Sequence, residues 1–170
     1  TDGTSFQFAV KENNWLGRGI NLQSALTLTE EKISGNIAVK NKNYNFSNNE
    51  VFAALDISSS DRTNTSGFKS SKTGFNIGTA FEQYENVWFA PEITMAWEDI
   101  ETEGTASSEI QKMDGNFFNS DLGYSITLDK RNQVFQPTEG YVTRFRQTLP
   151  IIQDSSSILN GLDINAYHDF

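Results

Sequence analysis

Residues that could act as acids, bases or nucleophiles are few in this chain. His168, the single histidine, lies two residues from the end of the sequence, where an ordinary surface position is the simplest interpretation. The absence of cysteine excludes thiolate chemistry, disulfides and cysteine-bound metals. A Gly-x-Ser-x-Gly turn, which would expose a serine nucleophile, is also absent. This inventory predicts a protein without enzymatic activity and without a cofactor.

Two segments contain side chains of the types that bind cations or phosphate. An acidic run over 98–103 supplies the oxygen ligands that a hard cation prefers, but it lacks the glycine and the ligand order of a calcium loop. The segment SGFKSSKTG, residues 66–74, has the lysines and serines of a phosphate site without the Gly-x-x-x-x-Gly-Lys spacing. We interpret both as solvated loops and predict no metal site. The acidic residues are Glu98, Asp99, Glu101 and Glu103.

The composition narrows the classes of partner and of fold. With 13 Lys and Arg against 22 Asp and Glu, the 170-residue chain carries a net charge of -9, the opposite of what nucleic-acid binding requires. The length suits a single domain over residues 1–170. No window of about 18 apolar residues exists, which excludes a membrane-spanning helix. A membrane-spanning β-barrel is not excluded, because its strands need only alternate between apolar and polar residues.

Alternation of apolar and polar residues dominates the chain and predicts an all-β fold. In the clearest segment, 87–98, the odd positions are mostly apolar and the even positions are mostly small or charged. Turn residues, among them Ser34-Gly35 and the long polar stretch 100–115, separate nine candidate strands. Many candidates reach the nine to eleven or so residues that a strand needs to cross a bilayer. They lie at 5–13, 20–33, 36–44, 50–61, 68–82, 87–101, 116–130, 141–151 and 158–170.

Two all-β architectures fit this alternation. A soluble β-sandwich or lipocalin-like barrel turns its apolar face inward, whereas an outer-membrane barrel turns that face toward lipid. The polar faces favour the membrane barrel, because they are rich in small residues and carry charges of both signs in mid-strand, such as Glu92 and Arg146. Aromatic residues near strand ends, such as Trp15 and Trp97, suit an interfacial girdle. We therefore predict an antiparallel transmembrane β-barrel with the lipid bilayer as partner.

The stretch ENNWLGRGINL, residues 12–22, places a turn between two alternating runs. Its glycines permit the positive φ of a tight turn, and its tryptophan and leucine suit contact with the membrane interface. Together with the preceding residues, SFQFAVKENNWLGRGINL resembles the early barrel hairpin of the BamA-like outer-membrane protein assembly factors, the bacterial surface antigen family. The matching residues are Asn14, Trp15, Leu16, Gly17 and Gly19.

A second segment matches the same family in the same order along the chain. LDKRNQVFQPTEGYVTRFRQTLPI, residues 128–151, resembles the family's mid-barrel segment Asp-x-Arg followed by Pro-Thr-x-Gly. Its proline and its glycine suit a turn between strands, and its aspartate and the first arginine suit an ion pair that holds a strand end. The matching residues are Asp129, Arg131, Pro137, Thr138 and Gly140.

The resemblance implies an integral protein of the bacterial outer membrane. In the family, the barrel inserts unfolded outer-membrane protein clients with the help of assembly-complex subunits, and a weak seam between its first and last strands serves as a template. The family's periplasmic repeats and its Val-Arg-Gly-Phe loop motif do not occur in these residues. Two alternatives to an insertase therefore stay open, a small structural barrel without insertase activity and a soluble ligand-binding β-sandwich.

The expected number of strands follows from the same resemblance, and their expected orientation follows from the lengths of the connections. We expect a barrel of about eight strands, or the first half of a roughly 16-stranded one, so that the first or third candidate strand is short or misjudged. The terminal LDINAYHDF resembles the insertion signal of outer-membrane proteins and ends at Phe170. The long stretch 100–115 is expected at the cell surface. The turn residues expected at the periplasmic end are Gly17, Gly19, Gly35 and Asn86.

Overall fold

A computed structural model of the chain describes residues 4–152 and 157–168. Strands dominate this length, because apolar and polar residues alternate along it. The two helices are short, α1 at Thr63–Ser66 and α2 at Ser108–Gln111, and each lies in a connection between strands. The strands are β1 Phe6–Trp15, β2 Ile20–Leu28, β3 Lys32–Tyr44, β4 Asn49–Arg62, β5 Phe68–Tyr84, β6 Val87–Thr102, β7 Gly115–Asp129, β8 Gly140–Ile152 and β9 Leu159–Tyr167.

The nine strands form one antiparallel sheet in chain order, which confirms the predicted all-β antiparallel fold. Each strand pairs with the next, and within residues 4–152 and 157–168 the edge strands β1 and β9 do not pair with each other. The sheet is therefore open, and it matches part of a larger barrel better than a closed barrel of eight strands. The expectation that the first or third candidate is not a full strand is wrong, since β1 has 10 residues and β3 has 13.

The connection between β2 and β3 corrects the predicted turn at Ser34-Gly35. The chain turns earlier, at 29–31, where the Thr29 amide donates to the Lys32 carbonyl at 2.7 Å and the Lys32 amide donates to Thr29 Oγ1 at 2.9 Å. Gly35 instead lies inside β3, opposite Leu26 on one side and Ile57 on the other. A Ser-Gly pair favours a turn locally, but the cross-strand pairing of its neighbours keeps it extended here.

The connections divide between two ends of the sheet. The first end carries the connections at 16–19, 45–48, 85–86 and 130–139, and the second end carries those at 29–31, 63–67 and 103–114. Gly17, Gly19 and Asn86 lie together at the first end, in agreement with the prediction that they share one end. Gly35 is predicted to lie with them but lies toward the second end. The predicted loop 100–115 begins only at residue 103, because β6 continues to Thr102, and it contains α2.

The pairing register keeps two faces separate across the whole sheet. Residues directly opposite one another on neighbouring strands point to the same side, so each cross-strand row belongs to one face. One row of the apolar face runs Leu22, Val39, Ala53, Ile77, Ile93, Leu122 and Leu149. One row of the polar face runs Ala25, Asn36, Asp56, Gly74, Ala96 and Asn119.

Neither face is covered by other parts of the described chain. Ile100 is the one large apolar side chain in the described ranges that is buried, at 8% exposure, whereas Ile93 in the middle of the apolar face is 38% exposed. A soluble sandwich would pack this face against a second sheet, and the described residues form only one. No helix in those ranges is long and apolar enough to cross a membrane.

Candidate functional site

The first motif forms the tight connection between β1 and β2. The Asn14 carbonyl accepts a hydrogen bond from the Gly17 amide at 2.9 Å, and Asn14 Oδ1 accepts one from the Gly19 amide at 2.6 Å. Leu16, Gly17 and Gly19 all have positive φ, at 58°, 67° and 68°. The glycines take this conformation readily, whereas the leucine takes it at a cost. Asn14 therefore closes the turn with both its backbone and its side chain.

In the second motif, Arg131 binds the carboxylate of Asp129, the last residue of β7. Arg131 Nε donates to Asp129 Oδ1 at 2.8 Å, Arg131 Nη2 donates to Asp129 Oδ2, and the Arg131 amide donates to Asp129 Oδ1 at 3.2 Å. The hydrogen bonds from the guanidinium hold the pKa of the Asp129 carboxyl below its usual value. The same hydrogen bonds, donated by the guanidinium to the carboxylate, raise the pKa of Arg131 above its usual range. The predicted ion pair is thus present as a bidentate contact.

The rest of the connection between β7 and β8 is held by a network around Asn132. Asn132 Nδ2 donates to Thr138 Oγ1 at 2.7 Å, and Asn132 Oδ1 accepts from the Thr138 amide at 3.2 Å. Pro137 is half-buried and follows Gln136, which has a φ of 48°. Gly140 has a φ of 96°, and a Cβ at this position would overlap the carbonyl oxygen of Lys130. Glycine is therefore required at 140, and Thr138 has a defined hydrogen-bonding role.

Both motifs lie at the first end of the sheet, next to a row of amphipathic aromatic side chains. One such residue stands at each of the four connections of this end, and each is between 40% and 71% exposed. All four lie on the apolar face, since their register partners belong to it. We call this set the aromatic row, and it consists of Trp15, Tyr44, Tyr84 and Tyr141.

Three members of the aromatic row reach the apolar face because of β-bulges. Strict alternation would turn Trp15, Tyr44 and Tyr84 to the polar face of their strands. Register shifts between Glu12 and Trp15, between Asn41 and Tyr44, and between Glu82 and Tyr84 add a residue and reverse that orientation. The bulges thus bring an aromatic ring with a polar edge to the same level on three hairpins. At the second end, Trp97 and Phe118 stack on the same face with ring centroids 4.9 Å apart.

The polar face carries partly buried polar groups above glycines. Glu92 lies between Gly78 and Gly123 in the register, and a Cβ at Gly123 would come within 3.1 Å of Glu92 Cγ. The ring of Phe52 occupies the corresponding space above Gly78. Asn76 Nδ2 donates to Glu92 Oε2 at 3.3 Å. The glycines therefore make room for larger side chains on neighbouring strands, rather than forming turns.

Toward the second end, the polar face is concave and forms a cleft of about 810 Å³. Side chains of both charges line it, so that the cleft suits water and ions rather than an apolar ligand. The charged lining residues are Lys32, Asp56, Lys72, Glu98 and Asp121.

The other chemistry-bearing residues do not form a centre. Residues 68–74 belong to β5, so the predicted loop at 66–74 is wrong for most of its length. The prediction of a loop for the acidic run is wrong up to Thr102, because β6 continues to that residue. Within β6 the acidic side chains alternate between faces, with Glu98 on the polar face and Asp99 on the apolar face. In the part of the chain that the structure describes, no three His, Asp or Glu side chains are placed to hold a metal ion. His168 is exposed, and Phe170 lies outside the described residues.

Sequence reasoning missed three features of this arrangement. Asn132 gave no signal, because an asparagine beside an arginine fits many loops. The orientation of Tyr44 and Tyr84 depends on bulges, which alternation cannot show. The cross-strand row around Glu92 contains two glycines, which by themselves suggest an interruption of the strand. A glycine in a strand can instead indicate that a bulky side chain on the neighbouring strand occupies the space above it.

The chain is similar to one known protein family and to a solved structure. The family model described as the Omp85 superfamily domain matches residues 14–170. Among solved structures, BamA from Haemophilus ducreyi lacking POTRA domains 1-3 matches with a TM-score of 0.56 at 15% identity. The match covers 91% of this chain and 32% of that one, so the chain spans about a third of its length. At this identity the likeness concerns the fold. No sequence among curated proteins matches the chain.

Proposed function

Since the chain belongs to the Omp85 superfamily, we propose that it forms part of the wall of an outer-membrane β-barrel whose complete protein inserts other outer-membrane proteins. The observation that carries this proposal is the apolar face, which continues over all nine strands and is not covered by any described part of the chain. An exposed apolar surface of this extent requires an apolar partner, and lipid supplies one on every strand at once.

The height of the apolar face supports a bilayer rather than a partner protein. On β6 the face runs from Val87 to Trp97, about eleven residues. At about 3.3 Å per residue and a tilt of about 40°, this length spans roughly 25 Å, which is the height of the apolar band in outer-membrane barrels. Beyond Trp97 the same face turns polar, with Asp99 and Glu101 opposite Ser71 and Lys69. The aromatic row and the Trp97–Phe118 pair thus mark the two borders of the band.

The polar face then lines a hydrated interior. Arg146 Nη2 donates to Asp163 Oδ2 at 2.6 Å, and Lys40 Nζ lies 3.0 Å from Glu50 Oε1, so charges of opposite sign neutralise one another within that face. Such pairs would be costly against lipid and are favourable in a water-filled lumen.

The lengths of the connections support an orientation with the first end in the periplasm. Three of its four connections have four residues or fewer, whereas the second end carries the long connection at 103–114. Outer-membrane barrels have short periplasmic turns and longer external loops. Protease added to intact cells should therefore cleave within 103–114 and spare Gly17. Cleavage at the Gly17 turn alone would contradict this orientation.

Insertase activity is the finer part of the proposal, and the open edges of the sheet support it. All ten residues of β1 are exposed, and an edge strand offers unpaired backbone groups to an incoming strand. The activity belongs to the complete protein, because client collection and closure of the barrel need more than this chain supplies. A structural barrel without insertase activity is the competing possibility.

The test is the folding rate of an outer-membrane protein client in liposomes. The complete protein should accelerate client folding over empty liposomes, whereas the 170-residue chain alone should accelerate it little. An unrelated barrel at the same protein-to-lipid ratio controls for disturbance of the bilayer. No acceleration by the complete, correctly folded protein would reject insertase activity in favour of a structural barrel.

A further inference from the structure

A groove at the first end of the sheet lies beside the turn that Asn14 closes. It runs between the β1–β2 connection and the β3–β4 connection and has a volume of about 940 Å³. We call it the turn groove. Its lining consists of Gly17, Arg18, Gly19, Ile20, Asn41, Lys42, Asn43, Tyr44, Asn45 and Phe46.

Hydrogen bonds hold both walls of the turn groove in place. On one wall, the Arg18 amide donates to the Trp15 carbonyl at 3.3 Å, next to the bonds that Asn14 makes. On the other, Asn43 Oδ1 accepts from the Asn48 amide at 2.8 Å, and Ser47 Oγ donates to the Tyr44 carbonyl at 2.6 Å. Preorganised walls reduce the entropic cost of binding a ligand between them.

The charge of the turn groove is positive, in a chain whose net charge is -9. Arg18 and Lys42 are its charged lining residues, both are exposed, and no acidic residue lines the groove. Within the described residues, neither side chain forms an ion pair, whereas Lys40 nearby pairs with Glu50 at 3.0 Å. The β2–β3 register ends at the pair Ile20 and Asn41, so Arg18 in the turn and Lys42 in β3 both lie beyond that pair and line the same groove. An anion bound there would be attracted by both cations.

The level of the turn groove identifies the anion. Tyr44, a member of the aromatic row, forms part of its wall, and Trp15 of the same row ends β1 two residues before the lining residue Gly17. These rings lie at the headgroup level of a bilayer, which is where lipid phosphates are found. We propose that the turn groove binds the phosphate of an anionic phospholipid, with Arg18 and Lys42 as the phosphate ligands. This inference rests on the proposed function, which places the first end in the phospholipid leaflet facing the periplasm.

The test measures which lipids stay with the protein. The full-length protein, folded in vesicles of phosphatidylcholine and phosphatidylglycerol at equal amounts, is extracted in mild detergent, and its retained lipids are counted by native mass spectrometry. We expect retention of phosphatidylglycerol over phosphatidylcholine. The double variant Arg18→Gln/Lys42→Gln should lower that preference about 30-fold, and each single variant about fivefold. The control Arg62→Gln/Lys69→Gln removes two cations at the opposite end and should retain the preference.

Three outcomes would overturn the proposal. Equal lipid retention by the wild type and the Arg18→Gln/Lys42→Gln variant would show that the groove does not select the headgroup. Displacement of the lipid by millimolar inorganic phosphate would point to a site for free phosphate instead. An equal loss in the Arg62→Gln/Lys69→Gln control would indicate an effect of net charge alone. If the protein folds in vesicles but selects no lipid, only this inference fails, whereas failure to enter vesicles removes the proposed function as well.

Discussion

Arginine in place of Ile93 should prevent stable insertion, whereas arginine in place of Ala96 on the same strand should not. Ile93 lies on the apolar face, opposite Ile77 and Leu122. Ala96 lies on the polar face and lines the cleft that also contains Asp56 and Glu98. The two substitutions add the same charge at positions three residues apart. The two positions differ in the solvent that the side chain meets, which is lipid at 93 and water at 96.

The magnitude follows from the depth of Ile93 in the band. It lies four residues from Trp97 and six from Val87. At about 3.3 Å per residue and a tilt of about 40°, these distances place Ile93 within roughly 3 Å of the midplane. An arginine there costs about 2–4 kcal/mol, or roughly a 30- to 700-fold shift in the folding equilibrium. At Ala96 the arginine meets water and carboxylates, so we expect a change within about 1 kcal/mol.

The assay is urea-induced unfolding of the full-length protein from vesicles, followed by tryptophan fluorescence and by heat-modifiable gel mobility. Equal destabilisation by Ile93→Arg and Ala96→Arg would refute the assignment of faces. A larger effect of Ala96→Arg would mean that the polar face meets lipid.

Three further predictions concern the two motifs. Gly140→Ala should destabilise the protein by about 1–3 kcal/mol, because its φ of 96° and the nearby Lys130 carbonyl leave no place for a Cβ, whereas Gly104→Ala, with nothing within 4 Å, should be neutral in urea unfolding. Asn14→Ala should cost about 1 kcal/mol through loss of the 2.6 Å bond to the Gly19 amide, and Asn14→Asp, which keeps the acceptor oxygen, should restore most of it. The pKa of Asp129 is lowered by Arg131, so its contribution to stability is fully present above the unfolded pKa of about 3.9 and is lost as the pH falls from there through the lower pKa of the folded protein. The urea midpoints of the wild type and Asp129→Asn should therefore converge on acidification from pH 6 to about pH 3, and a constant difference would contradict the role of the carboxylate.

Much of the fold could be predicted because successive side chains of a strand point to opposite faces. Where one face is apolar and the other polar, the residue types alternate with a period of two. All nine candidate strands are present, and the resemblance to the BamA-like family is confirmed by the Omp85 match. The error at Ser34-Gly35 arose where local turn preference and cross-strand pairing disagree, and pairing prevailed. The sequence did not decide between a closed barrel of about eight strands and the first half of a larger one, since closure depends on contacts between distant strands. The open sheet agrees with the second.

The candidate site was less accessible from the sequence. The ion pair of Asp129 and Arg131 followed from two charges at a strand end, and the structure has it. The turn-closing bonds of Asn14 and Asn132 depend on backbone geometry that residue types do not specify. The faces of Tyr44 and Tyr84 depend on single inserted residues, each of which reverses the alternation.

The central claim, that the apolar face meets lipid, is tested most directly by scanning β6. These 170 residues contain no cysteine. A single cysteine introduced at each position from 87 to 98 can therefore be labelled with an environment-sensitive fluorophore, and no native cysteine among these residues reacts with the label. In the full-length protein folded into vesicles, the emission should alternate with a period of two, blue-shifted at 89, 93 and 95 and water-like at 90, 92, 94 and 96. Uniform water-like emission, or blue shifts at the even positions, would contradict the account.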